Sequence, residues 1–361
     1  MKARSFLDEI GDVHALAGAR IAFGVLLLLE AHGMAVEQLD EGFFGAHFHV
    51  PFIPERFVPS QQMFAMLLAA QAVCAVLVIV GHFARPALFF SAATITYAML
   101  CDRLHFHHNR WALACYAALL ALSPCDRARD FRNFFASEKD APSDGPLWAV
   151  RLAQLQVCIV YVSSGSSKLF DPDWRSGAVL LDRMVRYGHV ALDRGVPAGL
   201  VEFFQQPTVA SLLSKGAIAT ELFLAFALLS RSLRIPAIFV GLCFHAAIEL
   251  TARVELFSFT TFAAYLLFAT PDFRARSLRY DPSRAKSRVL ARAVRVLDWL
   301  ARFDVAPWEA DALEQRSFVV TDRDGKPRTG FAAVMTLMRA LPLAFPIWAV
   351  LSPFVGVRSR S

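Results

Sequence analysis

From residue 15 to residue 270 the sequence returns repeatedly to apolar runs close to the ~20 residues that a helix needs to cross the hydrocarbon core of a bilayer. Apolar windows place eight candidate spans near 15–33, 62–82, 84–101, 110–123, 148–170, 208–229, 235–251 and 255–270. Their ends carry helix breakers, with Pro51 and Pro54 after the first, Pro86 between the second and third, Pro124 after the fourth and Pro271 after the eighth. Over the 361 residues the hydrophobic share is 56%, too high for an ordinary soluble domain. The expected fold is an all-α integral membrane helical bundle of about eight spans, followed by a small C-terminal α/β module.

The net charge of +6 is a topology signal and does not point to nucleic acid, because the basic residues sit in short loops and in the tail. The loops after even-numbered spans are GHFARP, 124–146 with Arg127, Arg129, Arg132 and Lys139, and SRSLR at 230–234. The positive-inside rule puts these loops and both termini in the cytoplasm, and 34–61, 102–109, 171–207 and 252–254 outside. The N-terminal stretch has acidic residues, Arg20 and no small-residue cleavage site, so it reads as a retained segment and not as a secretory signal. Arg20 itself reads as a snorkelling residue near the cytoplasmic end of the first span. The six cysteines form no CxxC pair and read as small core residues.

The connection 171–207 is amphipathic, and interfacial helices over the mouth of the bundle are expected there; a lid and a plain structured connection fit it equally. Beyond Pro271 the chain changes character. DFRARSLRYDPSRAKSR reads as a basic polar linker, and SRVLARAVRVLDWLARFD as an amphipathic helix with arginines opposite a leucine and valine stripe. SFVVTDRDGKPRTG reads as two short strands around a turn at Asp324-Gly325, and FAAVMTLMRALP as a helix. The proline-bearing apolar stretch after it is expected to dip into the membrane without forming a regular ninth span.

Candidate chemistry concentrates in YVSSGSSKLFDPDW, residues 161–174. The serines and Gly165 remove bulk, which lets a helix or a flat ligand approach the backbone. At helical spacing Tyr161, Ser164 and Lys168 share one face. A lysine recessed among them can serve as a general base, since desolvation disfavours the ammonium form; a lysine at the interface simply snorkels. Spacing does not decide between the two. Asp171, Asp173 and Arg175 read as a helix-end cluster, with Trp174 as an interfacial anchor. His245 and Glu249 lie four residues apart in an apolar helix, where a carboxylate can fix a histidine tautomer or a simple structural hydrogen bond can lock two helices. His105, His107 and His108 would join His245 in a metal site only if loop and helix converge, so no metal is expected.

The motif order adds a family. Tyr161, Gly165, Lys168, Leu169, Trp174 and Gly177 match the Tyr-x-x-(small)-Gly-x-x-Lys-Leu-x-x-x-Trp-x-x-Gly signature of the vitamin K-dependent γ-carboxylase and its bacterial relatives, the horizontally transferred transmembrane (HTTM) domain proteins. CDRLHFHHNRWALACYAALLALSP resembles the segment in which that family's Asn-Asn-His cluster starts a helix, and CFHAAIELTARVELFSFTTFAAYLLFATPDF resembles its Phe-His helix and Phe-rich span. The resemblance covers about residues 10–275. It implies that Lys168 deprotonates a vitamin K hydroquinone-like reduced quinone, that O2 turns this weak base into a strong alkoxide, and that CO2 adds after proton abstraction from the acceptor. His107, His108 and Asn109 stand opposite the family's Asn-Asn-His, so Asn109 replaces the histidine that orients the base and His108 is displaced by one position.

The stretch VVTDRDGKPRTGFAAVMTLMRALPLAFPIWAVL resembles the later half of the DCC thiol-disulfide oxidoreductase family, which has a thioredoxin-like fold. Residues 276–361 hold no cysteine, so dithiol exchange is impossible there and a remnant used for packing or partner binding is expected. The expected division is an HTTM, carboxylase-like domain over 1–275 and a basic linker with the DCC-like tail over 276–361. The expected catalytic residues are Lys168, Asn109 and His108, with Tyr161, Ser164, Gly165, His107, Trp174, His245 and Glu249 lining a quinone or substrate pocket. Expected partners are membrane lipids, a quinone and a secreted peptide, and the expected location is a bacterial cytoplasmic (inner) membrane. A non-enzymatic quinone- or lipid-binding protein that assists maturation of a secreted peptide is the alternative.

Overall fold

The computed structural model describes residues 9–12, 14–36, 50–103, 106–127, 144–230, 233–252, 254, 256–269, 276–298, 303–308, 317–322, 325–341, 344 and 347–348. The chain separates into two compact units, 1–268 and 269–361.

The first unit is helical. A short strand β1 (Ile10–Asp12) leads into α1 (His14–Ala35), followed by α2 (Gln61–Val80), α3 (Ala84–Cys101) and α4 (His108–Leu122). Strand β2 (Asp144–Pro146) pairs antiparallel with β1, and this brings Ile10–Asp12 beside the start of α5 (Trp148–Phe170). Glu9 clamps Arg151 there with contacts of 2.6 and 2.9 Å. Then come α6 (Pro172–Ser176), α7 (Ala178–Asp193), α8 (Ala198–Phe204), α9 (Pro207–Ala227), α10 (Arg234–Thr251) and α11 (Phe257–Tyr265), the last continued by a 3₁₀ turn to Ala269.

Among the described residues, four segments are long and apolar enough to span a bilayer: Leu16–Ala35, Gln61–Val80, Pro207–Ala227 and Arg234–Thr251. The other four segments expected to span are helices as well, α3, α4, α5 and α11, but shorter or richer in polar residues. Apolar side chains cover both the inside and the outside of these helices, as lipid-facing elements require: Met66, Val73, Phe226 and Leu250 are exposed while Phe23, Phe64 and Leu88 are fully buried. The amphipathic stretch 171–207 forms α6, α7 and α8; α7 packs on α9 and α10, with little of its surface buried.

Several polar residues inside the bundle are paired. Glu30 of α1 and Arg110 of α4 form a buried ion pair at 2.9 Å. Gln154 donates to the Leu267 carbonyl at 2.7 Å. Arg20 does not snorkel as the sequence suggested: it is fully buried, and its guanidinium donates to the Cys125 carbonyl at 2.9 Å. A charge beside free backbone acceptors is satisfied inside, and the loop that brings Cys125 over α1 was invisible in the α1 sequence. Gly81 closes α2 at φ 89°, and the space a side chain would fill there is held by Arg20.

The second unit holds a four-stranded sheet ordered β4-β3-β5-β6, made of β3 (Arg276–Tyr280), β4 (Phe303–Pro307), β5 (Phe318–Thr321) and β6 (Pro327–Arg328). Helix α12 (Ala285–Leu297) connects the parallel pair β3 and β4, β5 runs antiparallel to β3 and β6 to β5, and α13 (Gly330–Ala340) follows. Leu278, Val294, Phe303, Val320, Ala333 and Leu337 form the core. The basic linker expected at 272–288 is therefore corrected: 276–280 is an interior strand of the sheet. Its alternation was masked because the inward residues are Leu278 and an arginine, Arg276, which is buried only because Asp322 meets it at 2.9 Å. The amphipathic helix also ends earlier than expected, at Leu297, and Phe303 and Asp304 belong to β4. The hairpin turn has Gly325 at φ 70°; Asp324 lies outside the described residues.

Candidate functional site

Helix α5 carries the site because its last three turns line up Tyr161, Ser164, Gly165 and Lys168 on one face, the last three of them against α9. Gly165 makes that approach possible: a side chain there would collide with Leu222 at 2.9 Å and crowd Glu221 at 3.3 Å. The helix stops at Phe170, and Asp171 immediately caps α6, its Oδ1 accepting from the Asp173 and Trp174 amides at 2.8 and 3.4 Å with Pro172 at the first helical position. The tight α5–α6 corner turns Trp174 back toward Lys168.

Lys168 is turned inward. Its Nζ donates to Glu221 Oε1 at 2.5 Å and to Ser164 Oγ at 2.8 Å, and it lies 4.9 Å from the centre of the Trp174 ring. Ser164 also donates to Glu221 Oε1, at 3.1 Å. The ammonium thus has two hydrogen-bond acceptors and an aromatic face. Glu221 is 5% exposed, its Oε1 accepts twice, and its Oε2 is buried without a hydrogen-bond partner. Arg183 shares the Trp174 ring at 5.4 Å. The Trp174 carbonyl accepts from Ser214 of α9 at 2.5 Å, which pins the corner to the helix that bears Glu221.

A second polar cluster lies one and two turns earlier on α5. The Tyr161 hydroxyl meets His245 Nε2 at 2.7 Å and the Tyr265 hydroxyl in a very short contact. All three residues are buried, and His245 Nδ1 has no hydrogen-bond partner. Gly241, one turn before His245, leaves the space that the Tyr265 ring occupies. The ring of Phe257 stands 5.3 Å from His245 and 6.5 Å from His108, so the start of α4 reaches this cluster through an aromatic spacer.

The other sequence candidates are placed differently. Asn109 is buried and donates to the Val254 carbonyl at 3.3 Å, so it ties α4 to the loop before α11. His107 caps α4, its Nδ1 accepting from the Asn109 amide at 3.4 Å, and stacks on an exposed His108. The contacts that position Lys168 come instead from Ser164, Glu221 and Trp174. Glu249 does not meet His245: it pairs with Arg194 at 3.3 Å, and Tyr161 takes the histidine. A spacing of four puts two side chains on one face but leaves each free to choose a stronger partner, and a guanidinium outcompetes an imidazole for a carboxylate. His105 lies outside the described residues, and among the described residues no three His, Cys, Asp or Glu side chains converge as a metal site would need.

Sequence reasoning missed Glu221, although a signal was present: it is the one acidic residue of the apolar helix α9, and an ionisable group in such a place marks a functional site by default. The same signal marked Glu30, which Arg110 neutralises.

A helical bundle with apolar outer faces, enclosing a part-buried Lys–Glu pair and a buried Tyr–His–Tyr cluster, defines a membrane protein with a polar site among its helices. Its family follows from the whole of that bundle: the HTTM domain matches residues 9–273, and the chain belongs to the HTTM domain family. No curated protein and no solved structure matches the chain.

Proposed function

We propose that this chain is a vitamin K-dependent γ-carboxylase-like membrane enzyme, in which the Lys168 site couples a reduced quinone to proton abstraction from a peptide or small molecule. The observation that carries the reading is the inward orientation of Lys168. A snorkelling lysine would extend along the helix to the headgroups, but here the amine is drawn back onto Ser164, Glu221 and Trp174.

The residues present fit a flat hydroxylated ring. Two buried polar atoms, Glu221 Oε2 and His245 Nδ1, lack partners, and Trp174, Phe257, Phe262 and Tyr265 supply aromatic surface around them. Lys168 and Glu221 would hold a ring hydroxyl, while Tyr161 and His245 supply a hydrogen-bonded wall on the same face of α5. When bound, the reduced quinone supplies the reducing power and the first proton, with O2 and CO2 as co-substrates. The protein's own part is to exclude water, so that a proton moved at the Lys168–Glu221 pair is not lost to solvent, and low dielectric strengthens each charge interaction there.

The reading includes eight spans, both termini in the cytoplasm of a bacterial inner membrane, lipids and a secreted peptide as partners, and a tail descended from a DCC-like module. The β4-β3-β5-β6 order, with one parallel crossover and two antiparallel neighbours, supports the thioredoxin-like origin of that tail. A second reading, a quinone or lipid binder without turnover, draws on the fact that every donor direction of Lys168 is already engaged.

Purified protein supplied with reduced naphthoquinone, O2 and labelled bicarbonate tests these readings against its Lys168→Ala variant. Oxygen-dependent quinol turnover that disappears in the variant is expected. Turnover unchanged by Lys168→Ala would overturn the assigned role, and absence of turnover in the parent protein would leave the binder.

A further inference from the structure

A lysine can accept a proton only through a nitrogen lone pair, and the environment of Lys168 is that of an ammonium: a carboxylate oxygen, a hydroxyl oxygen and an aromatic face surround Nζ. Among the groups bonded to Lys168, Glu221 is the one with an oxygen that no donor reaches. Its Oε1 takes both Lys168 and Ser164, whereas Oε2 is buried and unpartnered in a residue that is 5% exposed. An ionised carboxylate has about four lone-pair positions, and a buried oxygen with none of its positions used costs free energy unless a ligand fills it.

We propose that Glu221 Oε2 is the proton-accepting atom of the site and that Lys168, bonded to the same carboxylate, stabilises the oxyanion produced. The substrate class is a molecule with an acidic hydroxyl on a flat ring, a phenol or a quinol. This rests on the reading of the Lys168 site as an acid–base site, and it reassigns the roles within it. In the step, the substrate O–H bond breaks, its electron pair stays on oxygen, and the proton bonds to Oε2. The carboxylate becomes a carboxylic acid, and the new oxyanion takes its place as counter-charge to Lys168. The site begins and ends with one cation and one anion, so no net charge is created in the low-dielectric interior.

The neighbouring base is His245, whose Nδ1 is also unpartnered and whose Nε2 is bonded to Tyr161. The titratable groups facing Glu221 from α5 are Lys168 and Tyr161, and Tyr161 is committed to His245 of α10 and Tyr265 of α11. Gly165 allows α9 to come this close, and Ser214 bonded to the Trp174 carbonyl holds the register.

Two measurements on the full-length protein in lipid nanodiscs test this, and neither requires turnover. In the first, an acetylating reagent modifies surface amines and the modification of Lys168 is followed by peptide mass spectrometry. Glu221→Gln removes the charge that holds the ammonium, so Lys168 should label roughly tenfold faster than in the parent, the equivalent of one charge-assisted hydrogen bond, with Glu221→Asp in between. Equal labelling in parent and Glu221→Gln would overturn the pairing.

In the second, anaerobic equilibrium dialysis compares 2-methylnaphthalene-1,4-diol with the corresponding quinone, which has no proton to offer. The parent should prefer the diol and Glu221→Gln should lose that preference; a preference retained in Glu221→Gln would overturn the acceptor role. If the diol preference behaves as expected but Lys168→Ala leaves quinol turnover intact, the carboxylase-like reading fails while Glu221 stands as the acceptor. Thermal unfolding of each variant confirms that it is folded.

Discussion

Gly177→Ala is the most direct test of how the site is built. Gly177 joins α6 to α7 at φ 90°, in the left-handed region, and a Cβ there would lie 2.5 Å from the Cα of Ser211, 2.6 Å from its nitrogen and 2.9 Å from the carbonyl carbon of Ala210. These are backbone atoms of α9, so no side chain can rotate aside. A left-handed alanine costs about 1–2 kcal/mol, and displacing a packed helix by the required few tenths of an ångström or more adds about 1–3 kcal/mol. The sum is about 2–5 kcal/mol, which for a unit of this size lowers the unfolding temperature by roughly 4–15 °C. The free cysteines Cys101, Cys125 and Cys158 are buried, so a thiol-reactive fluorophore reads unfolding directly. Gly199→Ala is the control, because that helical glycine has open space around it and alanine favours the helix. Because α9 also carries Glu221, Lys168 should label faster in Gly177→Ala than in Gly199→Ala. A Gly177→Ala protein that unfolds with the parent, while Lys168 stays as protected, would refute the claim that this corner fixes α9 against α5.

Four further outcomes are expected. Arg110→Met alone should destabilise the bundle by about 3–5 kcal/mol because it strands Glu30, whereas the double variant with Glu30→Leu should recover most of that loss in the same thiol assay. Tyr161→Phe should cost about 1–3 kcal/mol, since it leaves His245 and Tyr265 without their shared partner, and should perturb the His245 ring signals in NMR. Asp322→Ala should unfold the second unit by stranding the buried Arg276, with Arg339 also released, yet leave Lys168 labelling unchanged. Asp281 is held below the usual carboxylate range by the Ser283 hydroxyl and amide and by Arg284, so its contribution is present above the ordinary carboxylate value and is lost as pH falls through the depressed one. Asp281→Asn should therefore soften the acid limb of the second unit's unfolding profile, and an unchanged limb would count against that linkage.

The periodicity that announces helices was legible: the eight apolar segments lie largely on helices, four of which are, among the described residues, long and apolar enough to cross a bilayer. The hairpin and the last helix were legible too, through Gly325 and the apolar spacing after Gly330. Strand β3 was hidden, since its inward arginine mimics a solvated linker until Asp322, forty-six positions away, is placed beside it. The partners of charged residues followed the same rule. Arg20, Glu30, Glu221 and Glu249 each take a partner distant in sequence, and no local spacing names it. The α5 face of Tyr161, Ser164 and Lys168 was readable because helical geometry alone fixes it.

The small residues of the α5 motif gain a definite purpose from this. In sequence they suggested room for a neighbouring helix or for a flat ligand. The space beside Gly165 is taken by Leu222 and Glu221, so it is helix α9 that uses it. Replacing Gly165 would push α9 away, and the Lys168–Glu221 contact of 2.5 Å cannot stretch far before the ammonium loses its counter-charge in a medium where an isolated ion is costly. The glycine and the lysine three positions later are thus one device. Gly165 sets the helix separation, that separation brings Glu221 to Lys168, and Ser164 supplies the hydroxyl that bonds both. A site assembled this way depends on the distance between two helices more than on any single side chain. Gly165→Ala should therefore disturb Lys168 labelling more than Ser164→Ala, which removes one hydrogen bond and moves no backbone.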